Sequence, residues 1–302
     1  MAVPPSKLNK GNDKPQNQQW IVESIELAQK QIKHASEISE ALFAGGDLTE
    51  YLNLMCRMPY YHFLNLLLIY EQYPSAVCLA GTRVWGKILG TQYPLKQEHA
   101  GKSITLLAPF TNGAAGELVW YSVNVYDVSQ THVKNLELPT GAYIRDHEHI
   151  NFLLDAVIEV LARKYSQHVV IESNPALLQR LNIPGRVSGN AISVIDKLTD
   201  AQKLYWLTEN ICQQHIKSKA ISSHSAGLLV QTLCSCLFKV WGITKSMPTI
   251  PKGSYSTIIK EEQHPFLNIL QHSFYSIDQQ ISSAYIDARN EASDVTIIPE
   301  FL

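Results

Sequence analysis

The sequence predicts an α+β protein in two parts, N-terminal helices with a small antiparallel sheet followed by a helix-rich part with a short sheet. Three observations carry this. The chain has 302 residues and is 45% hydrophobic, which supplies two ordinary cores. Apolar residues recur at helical spacing in long stretches of both parts. Between those stretches lie short apolar runs bounded by turn formers, which have strand length and strand composition.

The elements follow in order. From Trp20 to Leu42, Ile21, Ile25, Leu27, Ala28, Ile32 and Ile38 recur near helical spacing, and the pair Gly45-Gly46 ends the segment. A second helix begins after Asp47 and stops before Pro59, because a proline ring disfavours helix in the residue before it. A third, "YHFLNLLLIYEQY", ends before Pro74. "AVCLAG", "SITLLAP" and "LVWYSVNVYDV" read as antiparallel strands, the last two joined through "FTNGAAGE". "ELPTGA", at 137–142, closes the first part. The second part opens with a helix whose Ile150, Leu153, Leu154, Val157, Ile158 and Leu161 share a face. "HVVIES" and the hairpin "GRVSGNAISVI" are strands, followed by helices over 204–217, over 222–241 and around "FLNILQHSFYSIDQQISSAYI". The expected organisation is a loose tail over 1–18, a first domain over 19–140 and a second over 141–302.

A net charge of -2 gives no global reason to bind nucleic acid or a membrane, so any basic surface must be local. No apolar run reaches the roughly 20 residues of a membrane helix. The polar N-terminus has no apolar signal core. Five cysteines without a Cys-x-x-Cys pair read as thiols of a soluble, cytoplasmic protein.

"LYWLTENICQQHIK", from Leu204 to Lys217, has the spacing of a metallopeptidase helix without its ligands. A zincin helix places two histidines at i and i+4 on one face, with a glutamate after the first to polarise the bound water. Here Thr208, Glu209 and Cys212 occupy those places, so only the glutamate is kept. Two other readings exist. Cys212 and His215, with His224 or Cys236, form an unusual metal site; or Cys212 packs in the core with Leu204, Leu207 and Ile211. "DHEH" at 146–149 offers two histidines and a carboxylate, but Asp146 also fits an N-cap.

The first part carries nucleic-acid chemistry. Arg83, Lys87, Lys96 and Lys102 lie near the aromatic candidates Tyr70, Trp85 and Tyr93, and single strands are held by charge neutralisation plus base stacking. Asn65, Gln72 and Gln130 offer uncharged donors and acceptors for phosphates or base edges. Trp85 is either a stacking platform or a core residue, and Asn65 either a contact or a buried structural amide.

In "YYHFLNLLLIYEQYPSAVCLAGTRVWGKILG", then "LKQEHAGKSITLLAP" and "VYDVSQT", the residues Phe63, Asn65, Leu66, Leu67, Gln72, Pro74, Ala76, Gly81, Trp85 and Gly90 fall in a characteristic order. That order resembles the single-stranded-DNA-binding domain of the ArdC antirestriction and LtrC-like plasmid proteins. The hairpin, helix, helix order of the second part resembles their zincin-like domain. The resemblance implies metal-ligand positions at Thr208, Cys212 and Ser225, of which cysteine alone is a good zinc ligand. It implies a mobile-element protein linked to conjugation or antirestriction, which binds single-stranded DNA and carries an inactive peptidase-like domain with no cofactor. Glu209 is then a relic, or a group hydrogen-bonded inside the former cleft. The alternatives are a metal-dependent peptidase with noncanonical ligands, and an interaction module whose old cleft takes a protein partner.

Overall fold

The computed structural model describes residues 15–111, 118–134, 150–172, 183–243 and 250–293. The "DHEH" histidines, the "ELPTGA" loop and the turn at 112–117 lie outside them. Among the described residues, eight α-helices and two three-stranded sheets make an α+β chain. Two compact units divide it, Met1–Pro139 with Tyr255–His264, and Thr140–Ser254 with Pro265–Leu302. No helix among the described residues is long and apolar enough to cross a membrane.

In the first unit, helix α1 (Pro15–Gly45) begins inside the stretch read as a tail. It turns Ser24, Ala28, Ala35, Ile38 and Leu42 inward, whereas Leu27, on the expected apolar face, is exposed. The helix packs on the sheet through Ser24, whose hydroxyl donates to Ser122 O and accepts from Ser122 N, both at 3.1 Å. Helices α2 (Thr49–Arg57) and α3 (Phe63–Gln72) stop where Pro59 and Pro74 require. Strands β1 (Leu79–Ala80), β2 (Ile104–Thr111) and β3 (Leu118–Asp127) form an antiparallel sheet in the order β1-β3-β2. Its register runs from Ile104 opposite Val125 to Thr111 opposite Leu118. The expected strand "AVCLAG" shrinks to two residues because the N–H groups of Val77 and Cys78 donate instead to the Asp127 carboxylate, at 2.7 and 3.0 Å. Between β1 and β2 lies a helix the periodicity did not predict, α4 (Thr82–Leu89). It ends at Gly90, whose φ of 64° is the left-handed conformation of a helix C-terminus.

In the second unit, α5 (Ile150–Tyr165) leads to β4 (His168–Glu172), and β5 (Gly185–Ser188) and β6 (Ala191–Ile195) form the expected hairpin. β6 is central, parallel to β4 and antiparallel to β5. Next comes α6 (Asp200–Ile216), opened by a capping box in which Thr199 and Gln202 satisfy each other's backbone. It contacts both α5 and α7 (Ser223–Val240). The last helix, α8 (Lys260–Ser293), buries Phe266, Leu270, Phe274, Ile277 and Ile281 on one stripe. Its first residues, through His264, group with the first unit: Lys260 pairs with Glu40 at 2.8 Å, and His264 packs edge-on against Phe63.

Candidate nucleic-acid surface and the cavity at Glu209

Four of the residues expected to touch DNA are occupied inside the first unit. A primary amide has one acceptor and a donor pair, so it can stand in for a peptide group beside an unpaired strand edge. Asn65 does this on β2, accepting from Leu107 N and donating to Leu107 O, each at 2.8 Å. Two helical turns on, Gln72 does the same for Thr105, accepting at 2.9 Å and donating at 3.0 Å. Gln130 accepts from Asp127 N and donates to Lys102 O, both at 2.8 Å, and so ties the turn after β3 to the start of β2. Trp85 is 1% exposed and donates its indole N–H to Tyr126 O at 2.9 Å, which leaves no face for a base.

The same holds for the "VYDVSQT" motif. Asp127 is fully buried, and its carboxylate accepts from Val77 N, Cys78 N, Ser129 N and Ser129 Oγ. Four donors replace the water lost on burial. Burial, and then this charge, push the Cys78 thiol above its ordinary range. The ordered residues behind the resemblance thus hold the strand edge and the turns together.

Tyr70 also leaves the DNA set. It sits edge-on to Tyr51 and lines an open cavity of about 500 Å³ with His34, Glu37, Asp47 and Glu71, a surface of the wrong sign for phosphate. His34 is bracketed by Glu71 at 2.5 Å and Glu37 at 3.4 Å, and those hydrogen bonds raise its pKa.

What remains is α4 and the loop after it. Arg83 and Lys87, one helical turn apart, are exposed, as are Val84 and Ile88 beside them. Tyr93 is 82% exposed. Lys102 is exposed, Lys96 donates to Ser129 O at 2.7 Å, and Glu98 lies exposed in the same loop.

In the second unit, Thr208, Cys212 and Ser225 are all buried, but they do not form a ligand set. Cys212 Sγ lies 3.8 Å from Cys234 Sγ, and Tyr205 packs edge-on against Phe238, so α6 and α7 run antiparallel. Ser225 stands nine residues before Cys234, about 13 Å along the helix axis from the thiol that meets Cys212. Cys234 is the neighbour that the sequence reading missed, because α7 carries several small residues and spacing alone does not choose among them. The other proposed ligands separate too. His215 meets the Tyr165 hydroxyl at 3.2 Å, where burial, and then Lys164 and Lys219, lower its pKa; His224 is exposed in the first turn of α7. Among the described residues no three His, Cys, Asp or Glu side chains converge on a metal position. These residues do not fit a catalytic zinc.

Glu209 is half-buried and, among the described residues, makes no hydrogen bond or ion pair, so of the two expectations, a relic or a group hydrogen-bonded inside the former cleft, the second is not met. Burial raises its pKa. It lines a cavity of about 220 Å³ with Pro184, Leu198, Gln202, Tyr205 and Trp206. The indole of Trp206 is laid against β5 at Gly185, where an added Cβ would stand 2.8 Å from the ring and 2.2 Å from Ser193 O. Only glycine permits that approach. Compared with protein-family models, curated protein sequences and solved structures, the chain matches none.

Proposed function

We propose that the first unit binds single-stranded DNA on α4 and the loop after it, with Arg83, Lys87 and Lys102 neutralising phosphates and Tyr93 stacking on bases. The observation that carries this reading is the exposure of Tyr93 beside a short helix that has two exposed cations and no carboxylate. An exposed aromatic of this size gains from a flat apolar partner, and each stacked base is worth about 1 to 3 kcal/mol. The second unit is a zincin-like scaffold without a catalytic metal, and the whole is an ArdC- and LtrC-like cytoplasmic protein of a mobile element, acting in conjugation or antirestriction. The ordered residues of the first unit and the hairpin, helix, helix order of the second support that kinship.

The test is fluorescence anisotropy of a labelled single-stranded oligonucleotide, with duplex DNA as competitor, over a salt series. Binding that prefers single strands and weakens with salt is expected. The double variant R83A/K87A should lower the slope of log affinity against log salt by about 1.4, the sum of two single-strand phosphate contacts. Tyr93→Ala should weaken binding at unchanged slope. Trp85 and Asn65 are unsuitable positions, since their loss disturbs the support beneath the surface and not the surface itself. Absence of binding at low salt would overturn the reading.

A further inference from the structure

The cavity in the second unit has no role in DNA binding, and its chemistry points elsewhere. At about 220 Å³ it is smaller than the roughly 300 to 1,000 Å³ of sites for drug-sized ligands, so its guest is the size of one side chain. Two of its walls are aromatic, Tyr205 and Trp206; Pro184 and Leu198 are apolar; and Glu209, a carboxylate with no hydrogen-bond or ion-pair partner among the described residues, faces the same space. Gln202 offers a cation little as an acceptor, because its Oε1 already accepts from the backbone N–H and the hydroxyl of Thr199. Aromatic faces attract a cation through their quadrupole, and a carboxylate held partly out of water gains most from a cation that desolvates beside it.

We infer that this cavity is a binding site for an alkylammonium group, seated against the rings of Tyr205 and Trp206 with its charge on Glu209. A compact ammonium on an apolar stem matches both the volume and the lining. The walls are preorganised, since Trp206 rests on Gly185 and Tyr205 is held edge-on against Phe238 at 5.6 Å between centroids. The site gives Glu209 a use that needs no metal.

The guest is either a lysine side chain of a protein partner or a free quaternary or primary amine, and two probes separate these sources. The full-length chain, labelled with nitrogen-15, is titrated with Nα-acetyl-lysine methylamide and, separately, with tetramethylammonium chloride. The neutral isostere Nα-acetyl-norleucine methylamide is the control. The readouts are the indole N–H signal of Trp206, assigned by its loss in Trp206→Phe, and the backbone amide of Gly185. Saturable shifts with either cationic probe, absent with the neutral one and weakened about tenfold or more in Glu209→Gln, are expected. A stronger response to the lysine probe marks a protein partner, and a stronger response to tetramethylammonium marks a free amine. Failure of both cationic probes to shift these signals would overturn the assignment. So would an equal response to the norleucine derivative, or affinities unchanged in a Glu209→Gln protein of unaltered circular dichroism. DNA binding by the first unit is unaffected by any of these outcomes.

Discussion

Thr208 is a buried hydroxyl with no hydrogen-bond partner among the described residues. It is 0% exposed on α6, and its Oγ1 makes no hydrogen bond. Leaving such a group unsatisfied costs about 1 to 3 kcal/mol, whereas an apolar group of the same shape costs nothing. Asp127 shows the opposite solution, a fully buried carboxylate kept by four donors. Thr208→Val is therefore expected to stabilise the protein by about 1 kcal/mol, read as a higher urea midpoint at unchanged slope. A midpoint that falls would mean that the hydroxyl is satisfied, by ordered water within the helix packing, and that the site still has a polar role.

At the level of elements, α3 closes the free edge of the first sheet. Strand β2 is an edge strand, and its outward N–H and C=O groups at Thr105 and Leu107 would otherwise invite another chain. Asn65 is buried and Gln72 is exposed, so their losses differ in kind. Asn65→Ala leaves two backbone groups of Leu107 buried and unpaired and should cost about 2 to 4 kcal/mol. Water replaces the bonds lost in Gln72→Ala, whose cost should be about 1 kcal/mol or less. Urea unfolding and amide exchange at Leu107 and Thr105 measure both, and equal costs would refute the edge-capping role. The helices and β2–β3 were legible because their periods of 3.6 and 2 extend over many residues. Helix α4 was not, since its eight residues bury only Trp85 and leave no repeat to see. Asn65 and Gln130 were legible as special and misassigned in role, because an amide that completes a sheet and one that reads a base require the same chemistry. The grouping of Tyr255–His264 with the first unit was invisible, since it depends on partners such as Glu40 and Phe63 that lie some two hundred residues away in the sequence.

For the molecule as a whole, stability against pH depends on which groups hold protons on folding. Asp278 on α8 is buried, and burial pushes its pKa from 3.8 up to about 6, against a weaker downward pull from the Trp241 indole N–H that it accepts at 3.2 Å. Between pH 4 and 6 the native state keeps a proton that the unfolded chain has released, so stability falls as pH rises through this window and then levels off. A shift of about two units sets an upper bound of about 3 kcal/mol. Glu209, also raised, acts in the same direction. His215 and His264 act oppositely: burial is the first cause lowering both pKa values, so their contribution grows as pH rises toward the unfolded value of 6.5. The total profile mixes these contributions, but a difference isolates one. Asp278→Asn keeps an oxygen for Trp241 and removes the titration, so the stability of the wild type relative to this variant should decline by about 1 to 3 kcal/mol from pH 4 to pH 7, measured by urea unfolding at each pH. A difference that is flat across this range would mean that Asp278 is charged in the folded state and that its neighbourhood admits water.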